Sequence, residues 1–346
     1  MKYRALWACV IFCVLAIAVI SSYRLTGVSA PAGAPQLYPE LRSLARDRLI
    51  AAIVVGASLG VAGVLLRTAT ANPLADPQIT GVNAGAAFGA VATAFITGSA
   101  TGALLLPGAL IGGGAAATLT IALSVRGSSP EAGGAHAVQK MVLLGIAVSA
   151  VFSALTAIFL VLDEAQLTTV LAWLNGRLAG VRLPDLLPAI VAFLLLFPFL
   201  VAGGRALDAL GTGDAVSRAI GANPARVRTG AIIASVVLTA TCVAAAGPIG
   251  FLGLLAAVVA QRVAGRTHRA SLMAAAAVGA TTLLIADSVG QWLWAPAETP
   301  VGILTGIAGV PLLLWGIRQM GSGERMSPTR AAKVNRKIAA EVNRGH

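Results

Sequence analysis

Apolar stretches about as long as a membrane-spanning helix alternate with polar, glycine-rich or proline-containing stretches along the whole chain. Apolar runs of about twenty residues predict helices that cross a bilayer, because lipid offers backbone groups no water to bond. The alternating ten-residue segments of a membrane barrel are absent from the sequence. The predicted spans are 5–20, 48–67, 81–96, 102–125, 140–162, 186–202, 229–246, 249–263, 270–292 and 301–317. The pattern therefore predicts an all-α membrane protein with about ten transmembrane helices.

Composition agrees with a membrane protein of one permease domain, 1–317, and a basic cytoplasmic tail, 318–346. The chain is 57% hydrophobic and 11% charged, whereas a soluble domain is about 25% charged. The basic residues before the first apolar run also fit a cleaved signal peptide, but the length of that run favours a retained span. Nineteen of the 25 Lys and Arg lie in loops assigned to one side. This bias predicts both termini in the cytoplasm, and it explains the net charge of +12 without nucleic acid.

A polar segment, 207–228, separates the sixth and seventh spans and has the pattern of a short capped helix. Asp214 can cap its start, 215–220 can form two turns, and Gly221 can end it. Asn223 and Pro224 then restart a helix. The segment is either an ordinary loop with a helical turn or the docking site of an ATPase.

Small residues recur at helical spacing within several spans. Gly56 and Gly60, and likewise Gly85 and Gly89, form GxxxG pairs that let helix backbones approach closely. The fifth span carries a weakly polar stripe on one helix face, which either packs against another helix or walls a pathway for a bulky polar solute. The stripe consists of Gly145, Ser149, Ser153 and Thr156.

Residues that could carry chemistry are scarce. The Gly-Lys pair of a phosphate-binding loop does not occur, no catalytic constellation stands out, and the three Cys and three His suggest no metal site. We therefore expect no enzyme activity and no cofactor or metal bound by this chain. Asp287, four residues before Gln291, is the clearest ionisable residue within a span. It is either the ion-coupling group of a secondary carrier or a structural hydrogen-bond partner.

Several motifs, in order over about 44–318, resemble one family of transporters. The segment 56–90 contains its signature, Asn72, Pro73, Leu74, Ala75, Asp76 and Pro77, followed by Gly-Val-Asn-Ala-Gly-Ala at 81–86. The runs 145–157, 173–176, 210–228, 247–254 and 296–302 also match. The chain resembles the permeases of ATP-binding-cassette (ABC) importers for iron-siderophore complexes and vitamin B12, the FecCD type.

This resemblance implies a BtuC-like bundle of ten spans in the cytoplasmic (inner) membrane, working by alternating access. It implies a second permease subunit, two ATPase subunits that hold the ATP and Mg, an extracytoplasmic binding protein, and an iron chelate as substrate. Arg48 matches a family arginine for binding-protein docking, and Arg46 is its neighbour. The implied gate residues are Ala137, Val138 and Gln139. The implied ATPase contacts are Asp214, Ala215, Ser217, Arg218, Ile220, Gly221, Asn223 and Pro224.

The sequence departs from the family at one place. Ala257, Val258 and Gln261 stand where a Pro, a His and an Arg are usual, with Arg262 one step later. Loss of the proline predicts a straighter eighth span. A homodimer, and a heterodimer whose partner keeps the motif, both remain open. Vitamin B12 and haem stay alternative substrates, and a carrier using Asp287 or a membrane scaffold stays an alternative function.

Overall fold

The computed structural model describes residues 2–30, 33–73, 75–77, 81–99, 102–125, 134–162, 171, 173–265, 267–294, 300–309 and 311. Side chains are described for the same residues except 2, 3, 102, 103, 125 and 134–139. Leu74, the motif positions 296–299 and the predicted basic tail lie outside the described residues.

The described chain folds into helices joined by short connections. The helices are α1 (Lys2–Thr26), α2 (Tyr38–Thr70), α3 (Val82–Thr97), α4 (Gly102–Val125), α5 (Gly134–Leu162), α6 (Leu183–Ala202), α7 (Gly204–Leu210), α8 (Asp214–Ala219), α9 (Pro224–Ala246), α10 (Leu252–Ala264), α11 (His268–Trp294) and α12 (301–309). A 3₁₀ turn at Pro35–Leu37 precedes α2.

Each predicted span coincides with a helix. Within the described residues, seven helices are long and apolar enough to cross a membrane: α1, α2, α4, α5, α6, α9 and α11. The other three predicted spans fall on α3, α10 and α12. The start of α2 differs most, because its helix begins at Tyr38, ten residues before the predicted boundary. Pro39 lies in the first turn of α2, where a backbone N–H would have no partner within the helix, so the helix can include this proline.

The core of the bundle is α2, which packs against α9, α10 and α11. Glycines set these contacts: a Cβ on Gly56 would fall within 3.0 Å of the backbone of Gly279 in α11. Gly89 of α3 meets Gly108 of α4 in the same way. Both GxxxG pairs therefore bring helix backbones into direct contact, as predicted, because no side chain stands between them.

Two segments interrupt the helices inside the bundle: the first has irregular backbone at its described residues 71–73 and 75–76, and the second is 247–251. Ala71 and Phe251 both have positive φ, which costs a non-glycine residue about 1–2 kcal/mol. Asp76 of the first segment accepts a hydrogen bond of 3.2 Å from the backbone N–H of Leu254, in the first turn of α10. The signature motif thus caps the short helix that follows the second segment, and it fixes the two irregular segments to each other.

Candidate pathway and coupling segment

A cavity of about 630 Å³ lies where the irregular segment 247–251 faces α3 and α5. We call it the mid-bundle cavity, because Ser149 lies halfway along α5. Non-helical backbone at membrane depth needs protein or a water-filled space around it, and here it lines the cavity. The cavity is lined by Asn83, Ala84, Ala87, Ser149, Ser153, Thr156, Ala157, Leu160, Leu174, Asn175, Pro248, Gly250, Phe251, Gly302, Ile303 and Gly306.

The lining of the mid-bundle cavity is largely apolar, with a few hydroxyl and amide side chains and no charged side chain among the described residues. Ser149 and Thr156 donate to carbonyls one turn back in α5, so their oxygens remain as acceptors. The Asn83 Oδ1 atom is buried and has no hydrogen-bond partner within the described part of the chain. A large polar solute can pass such a wall without a fixed charge to hold it.

The fifth-span stripe divides between the two interpretations, and its pathway role stays a prediction. Ser149, Ser153 and Thr156 line the cavity, while Gly145 is buried beside Gly81, at the start of α3. The side chains of the three gate candidates, 137–139, lie outside the described residues, although their backbone belongs to α5. Their gate role stays a prediction.

The coupling segment, 211–224, forms the predicted short helix at one end of the bundle, which we call the Asp214 end. Gly221 has the left-handed conformation expected of it, with φ of 83°. Asn223 caps α9 by accepting from the backbone N–H of Arg226, and Pro224 is its first residue. Val216 of α8 and Ile220, the residue after it, are 51% and 64% exposed, so this short helix has an accessible apolar surface.

The predicted capping role of Asp214 is wrong by one residue. Gly213 is the N-cap of α8, and Asp214 makes no side-chain cap. Its carboxylate instead pairs with Arg228 of α9 at 2.7 Å. Hydrogen bonding from Arg228 lowers the pKa of Asp214, and the charges of Arg228 and Arg218 add to this effect. A guanidinium competes better for the carboxylate than a backbone N–H does.

Two polar links tie the Asp214 end to the last turn of α2. Arg228 also donates from Nε to the Ala69 carbonyl at 3.0 Å, so it joins α8, α9 and α2. His268, the first residue of α11, lies 2.7 Å from Asp208 of α7 and 2.9 Å from the hydroxyl of Thr68. These contacts form a continuous series from α8 to α9, from α9 to α2 and from α2 to α11.

At the other end, which we call the Asp287 end, Asp287 is buried and binds two arginines. Arg24 of α1 and Arg48 of α2 each approach its carboxylate at 2.7 Å, and Gln291 donates at 3.1 Å. This geometry matches the structural interpretation of Asp287. A coupling carboxylate must exchange its ion, whereas both oxygens of this one are already bound to arginine side chains of the chain itself.

The two docking candidates differ in their surroundings. The guanidinium of Arg48 forms an ion pair with Asp287, and the Arg48 side chain is only 17% exposed. Arg46 is 57% exposed and contacts the neighbouring Asp47 at 3.1 Å. A docking role of either arginine stays a prediction, and Arg46 is the more accessible.

Sequence reasoning left several of these residues without a role. Arg24 was missed, although a single arginine at the end of a span opposite a buried aspartate was a usable signal. Asn83, Asn175 and Phe251 were noted only as parts of motifs. Nothing in the sequence pattern brings them to one cavity, because Asn83 lies in α3 while Asn175 and Phe251 lie on two separate connections.

Fold and site together define a polytopic helical transport protein, with an internal cavity that has no charged side chain among its described lining residues and a short surface helix at one end. The comparisons agree: the model of the FecCD transport family matches residues 5–319. The chain belongs to the FecCD transport family, which is a family of transport permeases rather than of enzymes.

Named relatives cover most of the chain. It is 34% identical over 273 residues to the Fe(3+) dicitrate transport system permease protein FecD of Escherichia coli (strain K12), covering 79% of this chain and 83% of that protein. It is 32% identical over 316 residues to FecC of the same system and strain, covering 90% and 92%. A solved structure described as an inward-facing conformation of a metal-chelate type ABC transporter is similar, with a TM-score of 0.78 and 28% identity, covering 92% of this chain and 99% of that one.

Proposed function

We propose that this chain is the membrane-spanning subunit of an ABC importer that carries a ferric chelate, such as a siderophore complex or iron citrate, into the cytoplasm. The observation that carries the proposal is the mid-bundle cavity. Its volume of about 630 Å³ lies within the range of small-molecule sites, about 300–1,000 Å³. Its lining offers hydroxyl and amide groups but no fixed charge among the described residues.

In the proposed mechanism the energy comes from outside the chain. The Asp214 end faces the cytoplasm and receives one of two ATPase subunits, which hold the ATP and Mg. Exposed Val216 and Ile220 supply the contact surface, and Arg228 passes the movement of α8 to α9 and α2. A second permease subunit closes the passage, and a binding protein delivers substrate at the Asp287 end, where Arg46 is exposed.

Specificity in this mechanism rests with the binding protein. A partner shifts a conformational equilibrium only through its different affinities for the two states, so the docking surfaces outweigh the passage lining. Iron chelates are favoured over vitamin B12 or haem because the relatives described above are iron-dicitrate permeases. The carrier alternative has no comparable support, since Asp287 is held by Arg24 and Arg48.

The test is uptake of ⁵⁵Fe-labelled chelates into vesicles that contain this chain with its ATPase, partner permease and binding protein. Uptake should need ATP on the ATPase side and should persist when the proton gradient is collapsed. Vesicles with this chain alone should take up nothing. A panel of ferric citrate, a ferric hydroxamate, haem and vitamin B12 then identifies the substrate class.

Coupling is tested by replacing Asp214 and Arg218 together with Asn and Gln. The double variant should keep the ATPase bound but lose uptake, because α8 no longer transmits its movement. Arg205→Gln is a matched control, since Arg205 is exposed on α7 at the same end. Normal uptake by the double variant, or uptake driven by a proton gradient without ATP, would contradict the proposal.

A further inference from the structure

A second cavity, of about 810 Å³, lies at the Asp214 end and is separate from the passage. We call it the Arg67 cavity. It is bounded by the last turn of α2, the start of α9 and the start of α11. Its described lining residues are Arg67, Thr68, Thr70, Ala71, Asn72, Pro73, Val142, Leu210, Gly211, Gly213, Asp214, Arg228, Gln261 and His268.

The other ionisable side chains that line this cavity already have polar partners in the chain. Arg228 binds Asp214 at 2.7 Å, and His268 lies 2.7 Å from Asp208. Arg67 is different: its residue is only 8% exposed, and its Nε and Nη1 atoms are buried without a hydrogen-bond partner within the described part of the chain. Arg262 is near enough to add electrostatic repulsion.

A buried guanidinium without a partner is costly. A buried charge stays in proteins only where it is paired or hydrogen-bonded, and each unmade bond costs about 1–3 kcal/mol or more for a charged group. Arg67 lies in the last turn of α2, and the negative end of that helix dipole supplies up to about 2 kcal/mol in partly buried positions, which is less than the cost of several unmade bonds to a charged group. The charge of Arg67 is therefore only partly compensated, and an anion from outside the chain would complete its compensation.

We infer that the Arg67 cavity binds an oxyanion, a phosphate or carboxylate group, whose charge Arg67 neutralises. Donors suited to such a group surround the space: the guanidinium of Arg67, the amide of Gln261 and the remaining N–H groups of Arg228. The cavity is large enough for a small phosphorylated or carboxylated molecule, or for a lipid headgroup. The cavity shares Asp214 and Arg228 with the coupling segment, but oxyanion binding by Arg67 does not depend on the proposed transport function.

The test uses the purified full chain in nanodiscs of neutral lipid, titrated with inorganic phosphate at constant ionic strength, with chloride as the control salt. Phosphate should raise the unfolding temperature saturably, and calorimetry should give a matching affinity. Arg67→Gln should weaken binding by about tenfold or more, because a charge-assisted bond is lost. The matched control, Arg205→Gln, should bind as the wild type does, since Arg205 is exposed outside the cavity.

Arg67→Met separates binding from simple stabilisation. Without phosphate this variant should unfold at a higher temperature than the wild type, because it removes an unpaired buried charge. With saturating phosphate the order should reverse. A purely structural Arg67 predicts the same order in both buffers. If Arg67→Gln does not fold, Arg67→Lys keeps the charge and should retain measurable binding.

The lipid composition of the nanodiscs distinguishes a lipid headgroup from a free molecule as the source of the oxyanion. If a headgroup fills the cavity, nanodiscs with phosphatidylglycerol should stabilise the wild type and abolish the phosphate effect, but not in Arg67→Gln. If a free molecule fills it, the phosphate effect should be equal in both lipids. Absence of any phosphate or headgroup effect overturns the inference. The inference is also overturned if the ATPase subunit, but neither phosphate nor the headgroup, stabilises the wild type through Arg67. That result would place a carboxylate of the partner in the cavity.

Discussion

Replacing Asp287 by Asn removes the charge that holds two arginines while leaving the side-chain shape almost unchanged. Arg24 and Arg48 have side chains only 11% and 17% exposed, and both lie 2.7 Å from this carboxylate. Removing one member of a buried pair costs about 3–5 kcal/mol. Here a single carboxylate serves two arginines, so we expect the upper part of this range, about 4–5 kcal/mol.

The assay is unfolding of the purified chain in detergent, by heat and by titration with a denaturing detergent. Arg24→Gln should cost less, about 1.5–3 kcal/mol, because Arg48 still pairs with Asp287. Glu40→Gln is the matched control: Glu40 is 61% exposed and lies 3.8 Å from Arg182, an exposed pair worth at most about 1 kcal/mol. The double variant Asp287→Asn with Arg48→Gln should recover part of the loss.

A loss of less than about 1 kcal/mol in Asp287→Asn would refute the reasoning, because it would mean that the ion pairs are already solvated. The same variant also decides between the functions. Folded Asp287→Asn should still transport with ATP, since Asp287 is a structural group. Loss of transport at full folding, together with loss of proton dependence, would restore the carrier hypothesis.

Three further outcomes follow from single contacts. Gly89→Ala should destabilise the bundle by about 1–3 kcal/mol, because its Cβ would meet the Gly108 backbone, while Gly114→Ala, with nothing within 4 Å of the new Cβ, should be neutral or stabilising in the same unfolding assay. Ser153→Trp should block ATP-driven uptake by filling the mid-bundle cavity, and Ser153→Ala should not. Because hydrogen bonding from Arg228 lowers the pKa of Asp214, that link should stabilise the fold fully above about pH 4 and weaken as pH falls through the lowered pKa. Asp214→Asn should remove this acid-range loss, measured as unfolding temperature against pH.

The sequence was most informative where one local rule decides the structure. Apolar runs located a helix at each predicted span, and Gly221, Asn223 and Pro224 behave as their backbone chemistry dictates. It was less informative where distant side chains compete. Asp214 is a sound cap by local rules, yet Arg228, fourteen residues on, takes its carboxylate. Long-range pairs of this kind depend on how helices pack, which periodicity does not encode.

The arrangement of the links explains how a chain with an uncharged middle can still transmit force. Both polar clusters include α2: Arg48 near its start binds Asp287, and Thr68 and Ala69 at its end bind His268 and Arg228. Between these clusters α2 touches α11 by backbone contact at Gly56 and Gly60, with no flexible side chain to absorb displacement. Close-packed contacts of this kind move as units rather than bend. A shift of α8 should therefore carry α2 and α11 together as a rigid pair, which changes the passage wall without any charge moving inside it.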